Sequence, residues 1–367
     1  MCRDIELAVM AAGEAIAASG LITKGIDPEK VNVDPTRMAI NVGAGIICCD
    51  LAELAPAVAA STAQGRFDLH KWGKEGLELI TPLWLLKYLP NMLACHIGII
   101  HDIQGPSNTI TCGEASAHLA IGEAAQVIAR GDADVAVAGA AEAKVNQMVM
   151  VRQHLLQRAV ATRDGAPETI CRPFDAKACG AIFGEGAGMV VLESLDHAQA
   201  RKARILAEVA GIGCSHSLNP VYERLEPDGR GLRLAVEKAV ADAEIRPEDL
   251  DLVIPHGTAV PADDLAEARG LEAVLGPAVE KTPVWPTKSM LGTTGAASGA
   301  LDIVAAVQAI VESVTPPARN FDRPAEGCRL NVATKRRAGR IGHVLCCSYT
   351  FGGQTAAVVL RAFEGTT

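Results

Sequence analysis

Aromatic side chains are scarce, at 3% of 367 residues, with Trp 3, Tyr 3 and Phe 6. A core without many rings must be filled by small and β-branched side chains at close contact. The 35 glycines and abundant alanine fit that picture and predict tight helix–sheet and helix–helix packing. Positive charge is not in excess either. The formal net charge is −9, which argues against general nucleic-acid binding and against attraction to anionic membranes. No apolar run approaches the length of a bilayer span, and no basic-then-apolar leader opens the sequence. The 11 cysteines contain no C-x-x-C spacing and no nearby histidine pattern of the zinc type. The chain is therefore expected to be cytoplasmic, with no metal, no membrane and no nucleic-acid partner.

What is present is a globular composition: 49% hydrophobic, 21% charged and long enough for two core-bearing halves. The vicinal pairs Cys48–Cys49 and Cys346–Cys347 read as buried thiols in strand-like surroundings. Two basic runs, Arg201–Lys202–Arg204 and Lys335–Arg336–Arg337–Arg340, read first as solvated faces. A dock for an acidic carrier protein is the sharper alternative.

Periodicity divides the chain into alternating strands and helices. "DIELAVMAAGEAIAAS" (4–19) has helical apolar spacing, with Gly20 as its stop. "RMAINVGAG" (37–45), "NTITC" (108–112) and "DVAVAGA" (134–140) read as buried strands. "TPLWLLKYLPNMLACHIGI" (81–99) is helical but interrupted by Pro90, and "EASAHLAIGEAAQVIARG" (114–131) is a small-residue helix. Beyond it come strands at 188–194, 205–213, 250–258, 340–349 and 354–362, with helices at 231–243, 263–276 and 295–313. Near-continuous apolar strands between helices indicate a covered α/β sheet. Two similar halves are expected, 1–180 and 181–367.

Seven stretches carry a resemblance when taken together and in order. They are "LPNMLACHIGI", "GPSNTITCGEAS", "ARGDADVAVAGAAEA", "CRPFDAKACGAIFGEGAGMVVLE", "PHGTAVPADDLAEA", "KSMLGTTGAASGALD" and "CSYTFGGQTAAVVL". The chain resembles the β-ketoacyl-carrier-protein synthases, the condensing enzymes of the thiolase superfamily. The resemblance implies a thiolase-like fold of two pseudo-repeated α/β halves in layered αβαβα order.

It also implies a site. The family mounts a cysteine nucleophile at a helix N-terminus, where free N–H groups stabilise a thiolate. Two histidines and a lysine complete it. Ungapped spacing between "GPS" and "GDAD" puts Glu114 at the nucleophile position, and Cys112 two residues earlier on the incoming strand. His256 stands at the first histidine position and Lys288 at the lysine, with Asp302 able to pair with it. Thr293 replaces the second histidine. Phe351, followed by Gly352 and Gly353, matches the family's glycine-flanked phenylalanine. Glu185 lies in a loop that frames the site. Glutamate cannot hold a stable thioester, and threonine cannot carry a proton as imidazole does near neutral pH.

Ordinary condensation by this chain alone is therefore not expected. Glu114 is expected to cap its helix and fill the old cysteine pocket, as in a chain-length-factor-like subunit that pairs with an active ketosynthase. A decarboxylase or hydrolase of carrier-protein thioesters, using Glu114 and His256, is the catalytic alternative. A homodimer that only binds acyl chains or carrier protein is the third. The implied dimer contact lies near 105–150. No cofactor is implied beyond the phosphopantetheine arm of an acyl carrier protein.

The remaining polar residues have plainer readings. Lys288 and Asp302 read equally well as a structural ion pair, Cys112 as a core thiol, and His118 as a residue on a packed helix face. Arg130 and Asp132 read as solvent-facing. The family's first strand, central in its N-terminal sheet, has no counterpart ahead of the first helix; its loss would leave a gap of unpaired backbone groups, so either the natural start lies further upstream or the sheet is expected to be rearranged.

Overall fold

A computed structural model describes residues 1–160, 165–219 and 224–365. The first helix, α1 (Arg3–Ser19), buries Ile5, Ala8, Ala12 and Ile16 along one stripe. Gly20 ends it in the left-handed conformation, φ 76°, with its N–H on the carbonyl of Ala17. Four strands form the first sheet: β1 (Met38–Ala44), β2 (Ser107–Ile110), β3 (Val135–Ala143) and β4 (Glu185–Glu193). Their order is β2-β1-β3-β4. β1 runs parallel to both β2 and β3, and β4 closes the far edge antiparallel to β3.

The second sheet contains β5 (Glu208–His216), β6 (Leu252–Ile254), β7 (His343–Tyr349) and β8 (Gln354–Arg361), in the order β5-β8-β7-β6. β6 is parallel to β7; β8 is antiparallel to both its neighbours. The further helices that pack on these sheets are α2 (Met92–His101), α3 (Ser116–Ala129), α4 (Arg230–Asp242), α5 (Pro261–Leu275) and α6 (Ala297–Glu312).

Three hydrophobic clusters show how these stack. α1 and α2 pack with Met38, Ile40, Val42, Val135 and Val137 on the outer face of the first sheet. α3 and α6 fill the space between the sheets, where Ile121, Val127 and Ile303 meet Ala136 on one side and Val344, Cys346 and Val358 on the other. α4 and α5 cover the far face, packing on Val253, Leu345, Cys347 and Val359. The result is the expected αβαβα layering. Small residues make it possible: a Cβ on Gly213 of β5 would overlap the carbonyl oxygen of Ala235 in α4.

Several expectations change in detail. The gap in the first sheet is absent, because β1 is paired along both edges, Ile40 opposite Ser107 and also opposite Val137. β4 lies beyond residue 180 but hydrogen-bonds to the first sheet. Cys346 and Cys347 are buried in β7, whereas Cys48 and Cys49 lie past the end of β1 and are only half-buried. Arg201 is not simply solvated: it forms an ion pair with Glu193 and donates to the Ser19 carbonyl at 2.9 Å, tying the end of α1 to β4. Arg130 and Asp132 do face solvent, as a surface ion pair of 3.1 Å. No helix among the described residues is long and apolar enough to cross a membrane.

Candidate functional site

β2 ends at Ile110, so Cys112 is not on the strand as expected but in the turn beyond it. Nor is it a core thiol: it is half-buried, and that burial pushes its thiol pKa up. The Cys112 N–H donates to Ser116 Oγ at 2.8 Å, and Ser116 Oγ donates to the Ala44 carbonyl at 3.2 Å. Gly113, at φ +53°, swings the chain into a 3-10 turn over Gly113–Ala115, and α3 follows at Ser116. Glu114 occupies the middle of that turn, 8% exposed. It does not cap α3, whose first turn receives no side-chain cap.

Two buried ion pairs surround it instead. Lys144 contacts Glu142 at 2.6 Å, and Arg158 contacts Asp263 at 2.5 Å. Burial disfavours the Lys144 ammonium, but Glu142 and then Glu114 outweigh it and hold its pKa above the ordinary value. Arg158 is held up likewise, by Asp263 and then Glu114 against burial. Burial raises the pKa of both Glu142 and Asp263, and the Glu114 charge adds to it. The Glu114 charge thus acts on both ion pairs. Glu142 is wedged between two glycines: a Cβ on Gly45 or on Gly295 would overlap its carboxylate. Its Oε2 accepts the Ala296 N–H at 2.6 Å, just ahead of α6.

His256 is 1% exposed and stacks edge-on against Tyr349, with ring centroids 4.6 Å apart. Its backbone N–H and that of Gly257 donate to the two oxygens of Glu267, each at 2.7 Å. Asp264 accepts the Phe174, Thr258 and Ala259 N–H groups at 2.8, 2.9 and 3.1 Å. These carboxylates fix the loop that carries the imidazole. Burial pushes Asp264 to about 7 and Glu267 to about 8. The His256 ring is driven well below its ordinary pKa, first by burial, then by Lys288 and Arg158. It is a neutral imidazole, and its Nδ1 is buried without a partner among the described residues.

Lys288 donates to Asp302 Oδ2, and Thr287 Oγ1 donates to Oδ1 at 2.5 Å, all buried. Thr293 is buried, and its hydroxyl has no partner among the described residues. His118, expected only on a packed helix face, is completely buried, 2.6 Å from Ser348 Oγ, and burial followed by Lys288 lowers its pKa to about 3. Arg158 links the two sides of the site, since its charge acts on His256 and is acted on by Glu114.

Phe351 is half-buried in the turn between β7 and β8, with Gly353 at φ +102°. The Arg158 guanidinium carbon lies 4.9 Å from its ring centre. An open cleft of about 200 Å³ runs beside it, lined by His216, Ser217, Leu218, Phe351, Gly352 and Gly353 among others. Glu185 opens β4 opposite Ala143, and its side chain forms an ion pair of 2.7 Å with Arg3. No group of three or more His, Cys, Asp or Glu among the described residues is arranged to hold a metal.

Sequence reasoning missed Glu142, Lys144, Arg158 and Asp263. A signal existed for the first two. They stand two residues apart at the end of an otherwise apolar strand, so they share one face of it.

Five alternating layers, with a helix N-terminus, a buried imidazole and a buried lysine meeting between the halves, define a protein built like a condensing enzyme. The model of the β-ketoacyl synthase N-terminal domain matches residues 1–198, and that of the C-terminal domain residues 206–322. The 3-oxoacyl-[acyl-carrier-protein] synthase 2 of Vibrio cholerae serotype O1 is 33% identical over 83% of this chain and 75% of its own length. A putative polyketide beta-ketoacyl synthase 1 of Streptomyces cyaneus is 32% identical over 99% of this chain and 82% of its own. Among solved structures, the ishigamide ketosynthase/chain length factor superposes with a TM-score of 0.83 at 27% identity, covering 99% of this chain and 83% of that one. The chain belongs to the β-ketoacyl synthase family. It is a ketosynthase-family protein of fatty-acid or polyketide biosynthesis.

Proposed function

We propose that this chain is a non-elongating, chain-length-factor-like subunit that pairs with an active ketosynthase. One observation carries the reading: Glu114 stands, buried, where the family has its nucleophile, and its charge helps hold the cations Lys144 and Arg158 in their charged form. A carboxylate in that setting is a counter-charge within the protein. It is a poor nucleophile and a poor thioester carrier. Thr293 supports the reading, because its unpartnered hydroxyl offers no proton transfer where an imidazole would act. The cleft beside Phe351 suits the pantetheine arm of an acyl carrier protein, so such a carrier docks on the complex.

The test is mass spectrometry of the pantetheine arm after malonyl-carrier protein is incubated with the purified chain. Wild type and Glu114→Ala should both leave the arm unchanged. The same chain combined with an active ketosynthase should alter product length. Glu114→Cys with Thr293→His should regain an acyl adduct. A stable thioester on Cys112 of the wild type would overturn the assignment of Glu114 to the nucleophile position.

A second reading is favoured by His256, whose neutral imidazole has a free Nδ1. As a hydrolase or decarboxylase the chain would turn over the malonyl arm, and Glu114→Ala would abolish that turnover. A carrier-binding homodimer would instead bind carrier protein saturably with no ketosynthase present.

A further inference from the structure

The two sheets end differently. In each, the last strand runs antiparallel to its neighbour, β4 against β3 and β8 against β7. The far edge of β8 is then covered by β5, which pairs with it antiparallel from Gln354 opposite His216 to Arg361 opposite Glu208. β4 has no such cover. It is the edge strand of its sheet, and some backbone N–H and C=O groups of residues 186–192 point away from β3. Among the described residues nothing takes these up. The burial follows the pairing: β8 is buried at every position but its two ends, whereas β4 is buried only at Gly188 and Met189.

Two helices bound this open edge. Leu7, Ala11 and Ala15 of α1 pack with Ala187 and Val191 on one face of β4, and all five are only half-buried. On the other face Ala305 of α6 packs with Val190 and Leu192, and a Cβ on Gly186 would lie 3.4 Å from Leu301 of α6. Ion pairs pin α1 over β4 at both ends: Arg3 holds Glu185, and Arg201 holds both Glu193 and the Ser19 carbonyl. An uncovered edge invites another strand, and proteins guard such edges with lysine, proline or a bulge. β5, the outer strand of the second sheet, has a break in register that skips Ala210. β4 has none of these guards. Glu185–Glu193 reads EGAGMVVLE and stays in register with β3 throughout.

We infer that the open edge of β4 binds an extended segment of a separate polypeptide, which adds an antiparallel strand as β5 does to β8. Main-chain hydrogen bonds give such a strand its affinity, and the apolar strip between α1 and α6 selects its side chains. Charge decides between a foreign strand and a second copy. Two copies of β4 paired about Met189 would set Glu185 opposite Glu193 at both ends, and like charges directly opposite destabilise a strand pair. The occupant is therefore small and apolar in its middle and basic at its ends. The inference draws on neither Glu114 nor His256, so it stands or falls separately from the function proposed above.

The test uses the full chain and a synthetic peptide, Lys-Val-Ala-Gly-Ile-Gly-Val-Ser-Lys, patterned on β5 with lysine at both ends. Amide hydrogen exchange is the readout. In the free chain the outward-pointing amides of residues 186–192 should exchange about a hundredfold faster than those of β8. The peptide should slow them about tenfold, saturably, and leave β8 unchanged. N-methylation of alternate peptide residues should abolish the effect in one frame and spare it in the other, because every second N–H of an added strand faces β4. Ala15→Arg, which sets a long charged side chain beside the strip, should abolish the effect of the unmodified peptide. If the outward amides of the free chain are already as slow as those of β8, the edge is covered and the inference fails; loss of that protection on dilution would name a second copy as the cover. If the peptide leaves exchange unchanged, or if both methylated forms act alike, no strand is added and the inference fails. Should Ala15→Arg unfold the chain, seen as fast exchange in β8, the two methylated peptides on the wild type still decide the question.

Discussion

Lys288 donates to one oxygen of Asp302 while Thr287 holds the other, and no part of this contact reaches solvent. Burial raises the Asp302 pKa, and Lys288 and Thr287 oppose that rise. The pair thus offsets a desolvation cost that neither partner could bear alone. Asp302→Ala should destabilise the protein by about 3–5 kcal/mol, because it strands a buried ammonium. Lys288→Met combined with Asp302→Leu should cost less than either single change. Urea denaturation of the three variants checks this, and a double variant worse than both singles would refute it.

That pair was legible through the family resemblance, whose register places Lys288 and Asp302, and the layered order came from the same resemblance. The local signals, apolar strands and small-residue helices within short windows, point only to a covered α/β sheet. The turn at Glu114 was legible only in part. Its place in the family order was clear, but its surroundings come from Lys144 at the end of β3, Arg158 beyond it and Asp263 at the start of α5. Arg158 and Asp263 are 105 positions apart, and no periodicity in either segment points to the other. The helix cap expected of Glu114 failed for a related reason. A local dipole argument cannot see two buried cations supplied by distant segments. His118 was read as a residue on a packed face, yet its partner Ser348 lies 230 positions away.

Glu142 depends on two absent side chains. A Cβ on Gly45 would overlap its carboxylate without any change of backbone region, so Gly45→Ala isolates the overlap. The expected loss is about 1–3 kcal/mol. Gly295 makes the same close approach and also sits at φ +60°, so Gly295→Ala should cost a further 1–2 kcal/mol or so. Gly65, at φ +75° with nothing within 4 Å of an added Cβ, is the control for conformation alone. Denaturant midpoints should rank Gly65→Ala above Gly45→Ala, and Gly45→Ala above Gly295→Ala. Equal midpoints for Gly45→Ala and wild type would mean that the Glu142 carboxylate has room to move.

His118 predicts an acid sensitivity of known sign. Its native pKa of about 3 lies below the ordinary 6.5, chiefly because of burial. Below pH 6.5 the unfolded chain takes up a proton that the folded one refuses. The stability it contributes is complete above pH 6.5 and is lost as pH falls towards 3. Asp264, raised to about 7, acts in the opposite sense: its contribution is complete near pH 4 and is lost as pH rises through 7. Comparing His118→Asn with wild type cancels that and every other shared group. Between pH 7 and pH 5 the wild type should lose about 2 kcal/mol more than the variant. Parallel stability profiles would show that the imidazole takes up its proton alike in the folded and the unfolded chain.

Thr293 is the clearest discriminator between a retired site and a re-tooled one. Its backbone is held as a bridge, with its N–H on the Ile182 carbonyl at 2.7 Å and its own carbonyl accepting the Gly184 N–H at 3.0 Å. Its hydroxyl is buried and has no partner among the described residues. A buried hydroxyl left unpaired costs about 1–3 kcal/mol, and valine has nearly its shape without that group. Thr293→Val should therefore stabilise the protein by about 1 kcal/mol, seen as a rise in thermal midpoint of roughly 2 °C. It should also leave product formation with a partner ketosynthase unchanged. A thermal midpoint lowered by Thr293→Val, together with loss of carrier-protein chemistry, would mean that the hydroxyl binds substrate or a structural water. The position would then be a working part of a different reaction, and Glu114 and His256 would have to be read as its acid and base.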